Sequence, residues 1–472
     1  MADLTFAPAY VLARAVRDGE LSPVELVRAS LDRITALNPR LNAFVALRAD
    51  AALAEATALE RRIAAKEAVG PLAGLPIGVK DLENVADLPT TFGSVPFKDW
   101  RPRGDSVQVA RLKRAGAIIL GKTNTQEFGY TGLTKNLLFG VSRNPWNLDR
   151  TPGGSSGGSA AAIASGMVPL VTASDGGGSV RIPACYVGAF GLKPSFGRVP
   201  VGAREPGNML PWVDTVCYGP ITRTVRDAAL FLDAVAGVDP SDPDSLPVPG
   251  LSYEAVLERI PARLKIAVSK TLGYGLVQRD VWREVESAIG VFRDLGHEVE
   301  YIDDVLPDLG LEWALICAAE TYALLAPEME AHRGEWGRAF LEGLERGREV
   351  TAEFVGKAQR KRALLNDALA RIFERYALLL TPTLPTDAFD AAGPFPRAID
   401  GEPIATPLGA VAYTYPFNFS GHPAGTVRAG FTEAGLPTGL QIVAPRHRDD
   451  LVLQAAYAFE QAAPWNDRWP EL

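Results

Sequence analysis

Pro152-Gly-Gly-Ser-Ser-Gly-Gly-Ser159, then a largely apolar run from Ala160 to Val171, then Ser174-Asp-Gly-Gly-Gly-Ser-Val-Arg-Ile-Pro183: the reading of this chain turns on this stretch. It sets Ser155 and Ser179 24 positions apart, each among glycines. Glycine costs folding entropy and contributes no packing, so such runs mark places where backbone must approach something closely. A flexible Gly/Ser linker is the plain alternative, but the intervening segment is apolar enough to be buried and no repeat is present.

Outward from that stretch, composition narrows the class. Of 472 residues, 47% are hydrophobic and 22% charged, which describes a globular protein with a large core. A net charge of −8 argues against nucleic acid or an anionic membrane as the main partner, because both reward basic patches. Cys185, Cys217 and Cys317 are too few and too scattered for a disulfide framework or a zinc site. The opening residues, Met1 to Pro8, lack the charged start and apolar run of a signal peptide. No run approaches the roughly 18 apolar residues that span a bilayer. A reducing, cytoplasmic setting is the expectation.

The periodicities predict an α/β protein. Ser22-Pro23-Val24-Glu25 reads as a capping box, followed by helical spacing that Asn38-Pro39 stops. A second helix is predicted over Asp50 to Ala65. Leu75 to Asp81 reads as a short buried strand delivering Lys80 at its end, although a lysine closing a strand most often sits in water. A helix capped by Asp105 runs to Arg114, and Ala117 to Leu120 is a strand. The same grammar recurs at Val281 to Leu295 with Glu298 to Ile302, and at Ala368 to Tyr376 with Leu378 to Thr381. Leu440 to Val443 leads into a final helix, from Asp449 or Asp450 to Ala463. Helices alternating with apolar strands imply a central mixed sheet covered on both faces. Pro240 to Pro249 is the best linker candidate and is read as joining two parts of one sheet-centred unit.

Several chemistries fail on inspection. No Walker sequence occurs, and His297, His332, His422 and His447 are scattered singly, without metal-ligand spacing. Gly153 to Gly157 satisfies Gly-x-Ser-x-Gly, the nucleophile elbow of α/β-hydrolases, which would make Ser155 the nucleophile of an esterase. That elbow needs a strand directly before its serine, and Asn144 to Pro152 is a turn-rich approach with two prolines. A serine also needs a base to take its proton, and an oxyanion needs donors in place. Asp175 to Ser179 supplies a serine and a row of backbone N–H groups; without histidine, the base left is a lysine kept neutral by burial.

Taken together, Gly153 to Gly158 and Asp175 to Pro183 resemble the amidase signature family, and Lys80 sits upstream in the matching context Gly74-Leu-Pro-Ile-Gly-Val-Lys-Asp81. The resemblance extends to Gly121 to Gly129, Asn144-Pro-Trp146, Leu380 to Pro385 and Gly435 to Gln441, so it covers most of the chain. It implies an α/β fold of one amidase signature domain over 1–472: N-terminal helices in 1–70, the signature core in 71–235, and a variable helical region with the C-terminal part of the sheet in 250–472. It implies an amidohydrolase acting on C–N bonds other than peptide bonds, without metal or cofactor, on a small-molecule amide. Position by position it makes Ser179 the nucleophile, Ser155 a bridging serine after a cis Gly154–Ser155 peptide, and Lys80 the base. The N–H groups of Gly176, Gly177, Gly178 and Ser179 become the oxyanion hole, with Asp175 and Arg181 in support. Gly129, Tyr130 and Thr131 align with a segment that borders the substrate.

Many members of the family carry a larger residue at Gly176, so the three-glycine run points toward bulky, aryl or cyclic amides, and carbamates use the same route. The amidotransferase subunit that releases ammonia from glutamine, working with partner subunits, fits the same motif. So does a catalytically silent binding protein, against which the intact Lys80, Ser155 and Ser179 argue. Cys317, on the apolar stretch Trp313 to Ala319, reads as a packed thiol rather than a substrate contact. The pocket segments, Ala203 to Cys217 and Trp313 to Asp390, fall where relatives differ most. The oligomeric state stays open, with a homodimer unsurprising.

Overall fold

Among the described residues eleven strands form one mixed sheet, and their order explains where the quoted motifs meet. Across the sheet the strands run Phe44–Leu47, Ile118–Thr123, Pro76–Lys80, Leu170–Asp175, Cys217–Thr222, Phe190–Lys193, Ala424–Phe431, Pro437–Val443, Leu378–Pro382, Lys265–Val268 and Glu298–Tyr301. The computed structural model describes residues 4–201, 214–303 and 305–472. Of the pocket segment expected from Ala203 to Cys217, residues 203–213 therefore lie outside the described residues.

Pro76–Lys80 pairs parallel with both Ile118–Thr123 and Leu170–Asp175, whereas Leu170–Asp175 pairs antiparallel with Cys217–Thr222. Every residue of Pro76–Lys80, Leu170–Asp175 and Leu378–Pro382 is buried. A strand with one wet face would alternate, so helices must cover both faces of this sheet. The strands before and after Pro240 to Pro249, Cys217–Thr222 and Lys265–Val268, belong to this one sheet, so that segment connects parts of a single α/β domain.

Two local expectations are corrected. Ser22 caps its helix as expected, its Oγ accepting from Val24 N and Glu25 N at 3.1 and 3.4 Å. Pro39 does not stop that helix: it lies inside Pro23–Leu41, and Asn42 ends the helix in a left-handed conformation. Asn38 instead ties down the exit, its Oδ1 accepting from Ala43 N and Phe44 N at 2.8 Å each. The helix Val107–Arg114 is capped by Ser106, whose Oγ accepts from Val109 N, and not by Asp105. Asp105 is taken by Ala86 N and Lys113 Nζ, at 2.9 and 2.8 Å. Among the described residues no helix is long and apolar enough to cross a membrane.

Candidate active site

Pro76–Lys80 and Leu170–Asp175 are neighbours and parallel, so both deliver their last residues to the same edge of the sheet. At that edge Lys80 is fully buried, and its Nζ lies 2.7 Å from Ser155 Oγ, 2.9 Å from Ser174 Oγ and 3.3 Å from Ser174 O. Burial lowers the amine to about 7, against the opposing pull of the Glu83 and Asp175 carboxylates. A neutral amine has two hydrogens and one lone pair. The two Ser174 oxygens can accept its hydrogens, leaving the lone pair for the Ser155 hydroxyl. Lys80 is thus no surface charge, and Ser174, which the sequence reading did not single out, shapes its cage.

Ser155 is held rigidly. The Gly154–Ser155 peptide is cis. The Ser155 carbonyl accepts from Thr125 Oγ1, Gln126 N and Thr134 Oγ1 at 3.0 to 3.2 Å. A Cβ on Gly154 would come within 2.5 Å of Leu133 N, so backbone passes backbone here and only glycine fits.

The Asp175 to Ser179 loop presents its amides in an ordered way. In a trans peptide the C=O and N–H point oppositely, so fastening each carbonyl turns the next N–H the other way. Asn418 Nδ2 donates to Asp175 O at 2.6 Å, Trp313 Nε1 to Gly176 O at 3.0 Å, and Ile182 N to Gly178 O at 2.7 Å. Among the described residues the N–H groups of Gly176, Gly177 and Ser179 then donate to no protein acceptor. Gly178 departs from the expected set. Its N–H donates to Asp175 Oδ1 at 2.6 Å, and Thr414 Oγ1 donates to the Gly177 carbonyl at 2.7 Å, so this peptide braces the loop.

Gly177 touches the indole of Trp313: an added Cβ would sit 2.2 Å from its ring. Gly177→Ala is expected to push the loop off its anchors and lower kcat by about a hundredfold, as for loss of one oxyanion donor. Steady-state kinetics on the folded variant would check it, beside a melting temperature lowered by overpacking that costs about 1–3 kcal/mol.

Asp175 and Arg181 form a fully buried pair, with Arg181 Nε and Nη2 each 3.0 Å from the carboxylate. Burial alone would raise the Asp175 carboxyl, but the Arg181 guanidinium, helped by Lys193 and Asn418, holds it down at about 2. Its stabilisation is therefore present above the ordinary carboxylate value of 3.8 and is lost as pH falls through about 2. Arg181 also donates to Gln441 Oε1 at 2.7 Å and Asn418 Oδ1 at 2.6 Å, which gives the Gly435 to Gln441 motif its physical purpose. Arg181→Met strands a buried carboxylate and is expected to cost about 3–5 kcal/mol, read as a lowered denaturant midpoint.

Ser179 opens onto a cavity of about 400 Å³. Its hydroxyl makes no hydrogen bond among the described residues. Gly129, Tyr130 and Thr131 line the cavity as expected, together with Gly177 and Trp313, whereas Gly176 is not in its lining. Cys317 is in the wall, but burial pushes its thiol far up and keeps it a packed, protonated group. No histidine among the described residues reaches this cavity. His422 is buried elsewhere, and burial, with Arg446 and Lys193, lowers it to about 3. Of the two serines, the elbow candidate Ser155 faces an amine instead of a histidine.

Comparison with known proteins identifies the family. The family model described as Amidase matches residues 25–453. The chain is 39% identical to an acylamidase of Rhodococcus erythropolis, over 99% of this chain and 98% of that one. It is 37% identical to a glutamyl-tRNA(Gln) amidotransferase subunit of Cyanothece sp., over 96% and 97%. Among solved structures, a bacterial aryl acylamidase superposes with a TM-score of 0.92 at 35% identity, over 98% of this chain and 97% of that one. A 6-aminohexanoate cyclic dimer hydrolase complexed with substrate superposes with a TM-score of 0.90 at 30% identity, over 100% and 99%.

Proposed function

This chain belongs to the amidase signature family and is an amidohydrolase, and on that premise we propose that it cleaves the C–N bond of a non-peptide amide through an acyl-enzyme on Ser179. The observation that carries the mechanism is the Lys80–Ser155 contact of 2.7 Å inside a fully buried cage. Neutral Lys80 takes the proton of Ser155 as Ser155 takes that of Ser179, and Ser179 Oγ attacks the substrate carbonyl. The second link forms when the unpaired Ser179 hydroxyl turns toward Ser155 with substrate bound, since such bonds often close only in the complex. Of the N–H groups without a protein acceptor, those of Gly177 and Ser179 lie in the cavity wall and face the developing oxyanion. Ser155 then protonates the leaving nitrogen, and a water activated along the same path releases the acid. No step passes through a metal or cofactor.

We read the labour as divided along the chain: 71–235 carries Lys80, Ser155 and Ser179, and 250–472 supplies much of the cavity wall. That wall, with Ile182, Trp313, Phe395, Leu408 and Val411, favours an amide with an apolar or aryl group over free glutamine. It therefore supports an acylamidase over an amidotransferase subunit. Three buried free thiols suit a reducing compartment, and we place the reaction in the cytoplasm.

Covalent labelling by a fluorophosphonate tests the assignment. The expected adduct is on Ser179 and disappears in Ser179→Ala; an adduct on Ser155 alone would overturn it. Replacing each histidine in turn is expected to leave kcat within about tenfold, because none has a proton-transfer role.

A further inference from the structure

Among the described residues that line the cavity, Arg346 is the sole charged side chain, and no carboxylate lines it. Arg346 lies on helix Arg338–Arg348, is exposed, and makes no hydrogen bond or ion pair from its side chain among the described residues. Nearby acids do not claim it: Glu345 is held by Arg333 at 2.6 Å, and Glu342, one turn earlier, forms no ion pair with it.

The phenol of Tyr130 reaches the same helix face. A Cβ on Gly343 would sit 2.1 Å from Tyr130 Oη, so the absent side chain makes room for that hydroxyl. Gly343 and Arg346 are three residues apart, which puts them on one face of the helix. Burial raises the Tyr130 phenol to about 12, with Cys317 adding to the shift and Arg346 opposing it, so it stays a hydrogen-bond donor.

The helix is itself anchored. Gly337, at its N-cap, donates its N–H to Glu127 Oε2 at 2.9 Å, and Ser94 Oγ donates to the other oxygen at 2.7 Å. Glu127 begins the turn that leads to Gly129 and Tyr130, so one buried carboxylate sets both sides of this corner of the cavity.

We propose that Arg346 and the Tyr130 hydroxyl together recognise a carboxylate at the mouth of the cavity, so that the substrates are amphipathic amides with an apolar body and an anionic end remote from the scissile bond. The proposal rests on the amidase reading for the reaction but not for the binding. A planar carboxylate accepts two parallel N–H bonds from a guanidinium, an arrangement a neutral tail cannot match.

The test is calorimetric binding of 4-phenylbutyrate and 4-phenylbutan-1-ol, neither of which can be hydrolysed, to the wild-type protein, Arg346→Met, Arg346→Lys and Tyr130→Phe. The carboxylate is expected to bind about tenfold or more tightly than the alcohol, as for one charge-assisted contact. That ratio should collapse toward one in Arg346→Met, recover in part in Arg346→Lys, and fall in Tyr130→Phe. Equal binding of the two ligands by the wild type, no binding of the carboxylate, or a preference that survives Arg346→Met would each overturn the proposal. Failure of the amidase reading would show separately, as absent Ser179 labelling and no cleavage of acetanilide.

Discussion

Ser179→Ala is expected to reduce kcat for amide hydrolysis by about ten-thousandfold or more, with KM changed little, because it removes the proposed nucleophile. The side chain is small, lies beside the cavity and makes no hydrogen bond among the described residues, so its loss leaves the loop's anchors intact. The fold should therefore melt unchanged, and the variant should bind substrate without turning it over. Ser155→Ala should also be severely impaired, since the proton would then have to cross directly between Ser179 and Lys80. A Ser179→Ala enzyme that kept a tenth of wild-type activity, beside a dead Ser155→Ala, would move the nucleophile to the elbow motif.

Lys80→Met carries the second large expected effect, a fall in kcat of about a thousandfold or more from loss of the proposed base. Its stability signature separates chemistry from folding. The folded protein holds the amine at about 7 and the ordinary value is 10.5, so the folded state binds fewer protons between those values. Stability contributed at this position therefore rises with pH across that window, and below it the buried ammonium is a burden on the fold. Methionine fills similar volume without a charge, so the variant should melt at or above the wild-type temperature near neutral pH. Lys80→Arg should not rescue activity, because a guanidinium keeps its proton and cannot act as base. Restored turnover in Lys80→Arg would contradict the assignment.

Much of this site was legible because its chemistry is carried by short, glycine-rich sequence. Gly153 to Gly158 and Asp175 to Ser179 announce close backbone approaches whatever the fold around them, and Leu75 to Asp81 announces a strand that ends in a lysine. Long-range partners were not legible. Trp313, Thr414 and Asn418 fasten the loop's carbonyls from 137, 237 and 243 positions away, and nothing local marks them as anchors. Gln441 stood within a quoted motif, yet only the fold shows that it meets Arg181. Local rules also failed where tertiary contacts decided. Pro39 is tolerated within its helix, whose end is tied down by Asn38, and Asp105 gives up its cap to Ser106 because Lys113 and Ala86 engage it. Gly178 looked like its glycine neighbours in sequence, and only Asp175 Oδ1 distinguishes it.

The central claim is that a neutral, buried Lys80 drives the reaction, and the pH dependence of kcat/KM for a neutral anilide tests it most directly. That ratio reports the free enzyme, and the active form is the deprotonated amine. It should therefore rise about tenfold per pH unit below a midpoint near 7 and level off above it. A profile flat from about pH 5 to about pH 9, or one that falls as the amine loses its proton, would contradict the account.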